Sequence, residues 1–270
     1  MLGNAATNVA FPVTTIATAL ALLLGIGGAS NYNLEMGAGQ EKKASGIAGT
    51  ALSSLVISGL ILAVIALVFL KPLLTLFGAT TDVMPYAVDY TGITALGLPF
   101  YILSVGGNHV VRADRSPTYS MTCIMIGAII NTILDPVFIF VFGWGIKGAA
   151  WATVIGQVVS GVLVIVYFWK FRNMYLTGAM LKPKMPYLKA IISLGLASCI
   201  NQIAMAIVQI VLNNILRHYG ADSVYGSDIP IACVGVISKV IRCLWQSVLV
   251  FLRAVSQSGD LTTEQRNMTE

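Results

Sequence analysis

Asn131 and Asp135 stand four residues apart in "NTILDPVFIF", inside a run from about Tyr119 to Phe142 that is otherwise almost wholly apolar. On a helix, positions four apart share a face. A carboxylate in such a run costs several kcal/mol if the run lies in lipid, and function is the usual reason to keep one there. The next connection, "GWGIKG" at 143–148, reads as a tight turn with three glycines. Two antiparallel helices joined there put residues equidistant from position 144 at equal depth. Thr153 is then level with Asp135, and Gln157 stacks one turn beyond Thr153. A carboxylate, a carboxamide and a hydroxyl around one point suit a hard cation such as Na⁺, which prefers oxygen ligands. A protonatable Asp in low dielectric serves a proton cycle equally well. A purely structural reading is also open: Asp135, beside Pro136, can satisfy backbone groups freed at a helix break.

The elements that must carry these residues are membrane spans. The chain has 270 residues, 57% hydrophobic and only 10% charged, with a mean hydropathy of +0.83. Soluble domains average roughly 25% charged residues. Apolar runs long enough to cross a bilayer of about 30 Å recur, near Phe11–Ser30, Ile47–Leu70, Tyr86–Val110, Tyr119–Phe142, Ala149–Trp169 and Leu188–Leu216, with another starting near Ile229. Strict apolar/polar alternation is missing, which argues against a β-barrel. The fold class is an all-α polytopic membrane protein. Cys123, Cys199, Cys233 and Cys243 show no metal-ligand spacing and read as packed thiols. His109 and His218 pair with nothing in sequence. Glycine-rich phosphate loops, HExxH and GxSxG are missing, so the chain does not read as an enzyme.

The net charge of +5 sorts by loop rather than forming a nucleic-acid patch. Lys42, Lys43, Arg112, Arg115, Lys170, Arg172, Lys182, Lys184 and Lys189 fall in alternate connections, against Lys71, Lys147 and Arg217 in the others. The positive-inside rule sets the first group in the cytoplasm, so loops 31–45, 111–117 and 170–187 face inward across a cell inner (plasma) membrane. Met1 is then outside, which is most simply explained if one helix is missing before it. Pro12, Pro99 and Pro136 interrupt spans, and small residues crowd the second span, as in a bundle with an internal cavity.

Several stretches resemble one family. "GAIINTILDPVFIFVFGWGIKGAAWATVIGQ" at 127–157 is similar to segments of the MATE (multidrug and toxic compound extrusion) transporters. So are "FPVTTIATALALLLGIGGASNYNLEMGAGQEKKA" at 11–44, "RADRSP" at 112–117 and "QIVLNNILRHYGADSVYGSDIPIACVGVISKV" at 209–240. The likeness covers about residues 3 to 240, nearest to a bacterial Mep-like branch. It implies a MATE-type bundle of twelve helices in two lobes about a cleft, of which this chain carries helices 2–7 and part of 8. Residues 1–169 would be first-lobe helices 2–6, 170–187 a cytoplasmic linker, and 188–240 the start of the second lobe. The family's cation site, an Asn and an Asp on the fifth helix and a Thr on the sixth, falls on Asn131, Asp135 and Thr153, with the carbonyl of Ala149 joining. The family's other key Asp lies on the first helix. Gln157, Gln202 and Gln209 are expected along a substrate path. Arg115 stands where the family usually has Gly, and Ala197 where Pro is common.

The implied function is a Na⁺- or H⁺-coupled antiporter that exports small amphipathic or cationic drugs, with the lipid bilayer as its medium, no nucleic-acid partner, and no cofactor beyond the ion. Two alternatives stand beside it: a non-transporting fragment of such a gene, and a flippase for lipid-linked saccharide. Against the flippase, none of the Arg and Lys residues up to Lys239 falls mid-span, where a pyrophosphate would need them.

The likeness stops abruptly after "GVISKV", and Arg242 and Arg253 then enter what should be a membrane helix. Back-translated with suitable codons and one A restored before it, segment 241–270 can read as an apolar helix with a glycine-rich exit that echoes the first span. Residues 241–270 are therefore expected to be a frameshifted tail. The nucleotide sequence from codon 240 onward checks this. The shifted frame should stay open and continue into further membrane helices, whereas stop codons within those thirty codons would refute the reading.

Overall fold

A membrane span has no water to satisfy its backbone, so it forms a continuous helix. The computed structural model describes residues 2–171, 178–221 and 229–238, with residues 240, 241 and 244. Helices fall on the expected spans: α1 (Leu2–Gly37), α2 (Glu41–Val68), α3 (Leu70–Leu76), α4 (Met84–Ala113), α5 (Pro117–Pro136), α6 (Gly145–Val166) and α7 (Met185–Ala221), then a short α8 (Ile229–Ser238). Six of them are long and apolar enough to cross a membrane. The described residues contain no strand.

Two details differ from the sequence reading, and a third expectation is left open. The second span ends at Val68, and Leu70 opens the short α3, too brief to leave a periodic signal. The connection expected over 170–187 is partly helical: a π-helical turn carries α6 on to Phe171, a 3₁₀ turn covers Gly178–Leu181, and α7 has begun by Met185. The tail expected to be frameshifted, 241–270, lies outside the described residues apart from 241 and 244.

Helix α4 is central, with α1, α2, α5 and α6 packed on it, while α7 packs chiefly on α1. Between helices in lipid, close van der Waals approach and side-chain hydrogen bonds replace the hydrophobic drive. Both operate between α1 and α7. A Cβ on Gly27 would overlap the Ile191 carbonyl, and one on Gly195 the Leu23 carbonyl. Toward the other end, Asn8 of α1 donates to Asn213 at 3.2 Å and to the Ile231 carbonyl of α8 at 3.1 Å. Gln209 of α7 donates to Asn8 at 3.2 Å and to Asn213 at 3.1 Å. Asn213 donates in turn to the Phe77 carbonyl at 3.3 Å. All three side chains are buried. Several polar residues elsewhere in the spans fold back on their own helix, as Thr50 does to the Gly46 carbonyl and Thr94 to that of Tyr90, while Ser104 and Ser160 join α4 to α6 at 2.7 Å.

The opposite, more basic end is clasped by Asp114. Its carboxylate is buried where α4 ends. Tyr32 of α1 donates to it at 3.1 Å, and Tyr167 at the end of α6 donates at 2.7 Å, 2.8 Å from the Ser116 hydroxyl. One carboxylate thus joins three helices. The next residue, Arg115, has φ 61°, a left-handed conformation that costs an L-residue roughly 1–2 kcal/mol and that glycine adopts freely. Gly in the related motif "RADGSP" has a physical reason that the sequence alone did not supply.

These features predict opposite shifts in thermal stability of the purified chain in detergent. Asp114→Ala strands the buried Tyr32 hydroxyl and leaves Tyr167 only its Ser116 and backbone partners, and should cost about 1–3 kcal/mol. Arg115→Gly should raise stability by up to about 1 kcal/mol. Melting curves followed by circular dichroism check both. A neutral Asp114→Ala would remove the clasp from this account.

Candidate functional site

The site begins at a helix irregularity. Helix α5 runs to Pro136, which has no N–H to give the carbonyl of Thr132. The chain then continues as a π-helical turn, Val137–Val141, with Phe142 N–H bonded to the Val137 carbonyl at 3.0 Å. Such turns inside helices are frequent at functional sites. Gly143 and Gly145 both have positive φ, 66° and 55°, and make the tight reversal into α6. Phe138, Phe142 and Trp144 pack around it with ring centroids 5.2–5.8 Å apart.

The register across that turn is visible in its closest approaches. Gly148 meets Phe138, and Gly156 meets Asn131, where a Cβ on the glycine would lie 2.9 and 3.2 Å from the facing residue. Interpolation between the two sets Thr153 opposite residues 133 and 134, within one turn of Asp135 but not level with it as equal counting from position 144 expects. The Thr153 hydroxyl donates to the Ala149 carbonyl at 2.9 Å. That carbonyl, expected as a ligand, is therefore already an acceptor within α6.

A fourth side chain enters from α4. The Tyr90 hydroxyl lies beside Thr153 and close enough to Asp135 to feel its carboxylate. Sequence reasoning missed it. Tyr90 is on α4, which is not joined to α6, and equal counting across the 114–116 connection to α5 sets Phe140, not Asp135, level with it. At the rim, Asp89 pairs with Lys147 at 3.2 Å and ties the starts of α4 and α6 together. Both side chains are substantially exposed, so the pair is worth at most about 1 kcal/mol.

Two oxygens define what the site can do. Asp135 Oδ1 and Gln157 Oε1 are buried and have no hydrogen-bond partner among the described residues. Gln157 fits because α4 has Gly97 opposite: a Cβ there would overlap its Oε1. Buried polar atoms are nearly always paired, so two unpaired acceptors on neighbouring helices need an explanation. Oxygen acceptors left without donors suit a hard cation, or a proton on the carboxylate. The structure therefore brings Asp135, Thr153 and Tyr90 together, with Asn131 and Gln157 on the same α5–α6 face. The other expected positions lie elsewhere: Gln209 is held in the Asn8–Asn213 cluster, and Gln202 is half-buried on α7.

Comparison with known proteins bears on this arrangement. The MatE family profile matches residues 4–137. The chain is 28% identical over 245 residues to the multidrug export protein MepA of Staphylococcus aureus, covering 90% of this chain and 54% of that protein. Its fold matches a structure of the MATE multidrug transporter DinF-BH in complex with a dye, with a TM-score of 0.81 and 30% identity over 89% of this chain and 53% of that one. It also matches an inward-facing conformation of a multidrug resistance MATE family transporter of the MOP superfamily, with a TM-score of 0.78 and 27% identity over 86% of this chain and 52% of that one. The chain spans about half the length of the relatives it matches. In sequence and fold it is similar to MATE family transporters.

A pocket kept polar for a ligand should be costly to the empty protein. Gln157→Leu and Asp135→Leu remove the two unpaired acceptors, and each should raise stability by about 1–3 kcal/mol in cation-free buffer. That gain should shrink in the presence of a cation that occupies the pocket. Thermal melts with and without Na⁺, and across pH, measure it. Destabilisation of both variants in cation-free buffer would show that the two oxygens hold the structure together.

Proposed function

We propose that these residues form the cation-coupling lobe of a multidrug antiporter. Asp135 carries the reading: a carboxylate inside a membrane span with a buried oxygen that has no donor among the described residues. A charge there is neutralised by a cation or a proton, and that event is what a coupled transporter needs to sense. Thr153 and Tyr90 supply hydroxyl oxygens beside the carboxylate. Asn131 and Gln157 supply amide oxygens on the same helix pair. Na⁺ and H⁺ both fit this donor set. In either case the ion is cargo that enters and leaves, and it biases the lobe between conformations for which the exported compound has different affinities. The relatives' names, a multidrug export protein and a transporter in complex with a dye, favour an amphipathic organic substrate.

A second reading is favoured by one observation. The chain spans about half the length of the relatives it matches. On that reading the 270-residue polypeptide takes up the ion and moves no drug, since alternating access needs two lobes to rock against each other.

Transport assays with a fluorescent cationic dye separate the two. In cells, Asp135→Asn should insert normally and lower ion-driven dye efflux by at least about tenfold, the factor that about 1.4 kcal/mol of lost coupling gives. Unchanged efflux in that variant would overturn the first reading. Liposomes containing only the 270-residue chain should show no dye transport if the second reading holds, and gradient-dependent transport would overturn it.

A further inference from the structure

Away from the α5–α6 site, α2 and α6 both pack against α4. Between them lies a crevice of about 540 Å³, lined by Leu52, Val56, Leu103, Val164, Phe168 and Leu181. Its lining is almost wholly apolar, and its size is that of a small-molecule pocket, roughly 300–1,000 Å³. Two features mark it as more than a gap between helices. The 3₁₀ turn Gly178–Leu181 packs on α2 and closes the crevice at one end. Exposed lysines stand at that end: Lys182 directly follows the lining residue Leu181, and Lys170 directly follows the lining residue Trp169. Lys184 is 5.5 Å from the centroid of the Tyr187 ring, and that ring packs on Gly46 at the start of α2. The segment that carries the lysines is thereby fixed against the same helix that forms the crevice wall. Of the acidic residues at this end, Glu35 is paired with Lys43 on the α1–α2 rim.

We propose that this crevice binds an anionic phospholipid, with one acyl chain among the α2, α4 and α6 side chains and the headgroup phosphate against Lys182 and Lys184. The charge pattern selects the ligand. A neutral lipid would satisfy the apolar walls and leave the lysines unused. A free anion would satisfy the lysines and leave the walls facing the disordered bilayer. An anionic lipid matches both in one molecule, because juxtamembrane basic side chains attract acidic headgroups. The site is independent of the ion site, since it shares no residue with it.

Native mass spectrometry of the purified 270-residue chain, with phosphatidylglycerol or phosphatidylcholine added, tests this. The wild-type chain should retain phosphatidylglycerol about fivefold or more over phosphatidylcholine, as expected for basic side chains at an anionic surface. Lys182→Gln with Lys184→Gln should abolish the preference while weak retention of both lipids persists. Val56→Trp, which fills the crevice from an exposed position, should reduce retention of both. Added inorganic phosphate should displace nothing. Equal retention of the two lipids by the wild-type chain, displacement by phosphate, or a Val56→Trp chain that binds as the wild type does would each overturn the proposal.

Discussion

A carboxylate without a donor inside a membrane span is the constraint on which this structure turns. Asp135 cannot remain bare at that depth without a cost of several kcal/mol. The surroundings preserve the problem instead of solving it. Gly97 leaves room for Gln157, whose oxygen is also unpaired, where a donor could have been placed. Pro136 and the π-helical turn after it hold Asp135 just before the helix irregularity. Tyr90 and Thr153 bring hydroxyls to its side, and the Thr153 proton is given to Ala149. The result is a polar pocket whose proposed occupant is a cation or a proton.

Asp114 is the instructive contrast. It is also buried, yet it accepts from Tyr32 and Tyr167 and so closes the more basic end of the bundle. The two aspartates differ in what surrounds them, and their roles differ accordingly. Satisfied polar groups bind helices together, as the Asn8, Gln209 and Asn213 amides do at the other end. Unsatisfied ones call for an explanation: Asp135 Oδ1 and Gln157 Oε1 here, Thr91 Oγ1 and Asn108 Oδ1 elsewhere on α4. Between these ends the helices approach through glycines, at Gly27 and Gly195 most closely, so the bundle is tight where it is structural.

How much of this was legible in the sequence depended on chain distance. Hydropathy located all six long helices, because lipid imposes length and composition on each span separately. That the helix of Asn131 and Asp135 packs on that of Thr153 was legible because one short turn joins the two, although counting from it misjudges their register by one to two residues. Tyr90 was not, nor was the Asp114 clasp, whose tyrosines are 82 and 53 positions away. Contacts between helices that are not consecutive leave no periodic trace. Gln209 shows the opposite error: a carboxamide in a span looked like part of a substrate path, and it is occupied in joining α7 to α1. Arg115 was visible as a departure from the related motif, but its left-handed backbone could be known only from the fold.

The central claim is that Asp135 takes up a cation or a proton as its working partner. Isothermal titration calorimetry on the purified chain tests it most directly. Na⁺ is titrated in at fixed pH in two buffers of different ionisation heat. The account predicts a saturable heat, or a buffer-dependent proton release, that vanishes in Asp135→Asn while the fold is retained. The same heat and the same proton count in wild type and Asp135→Asn would contradict it.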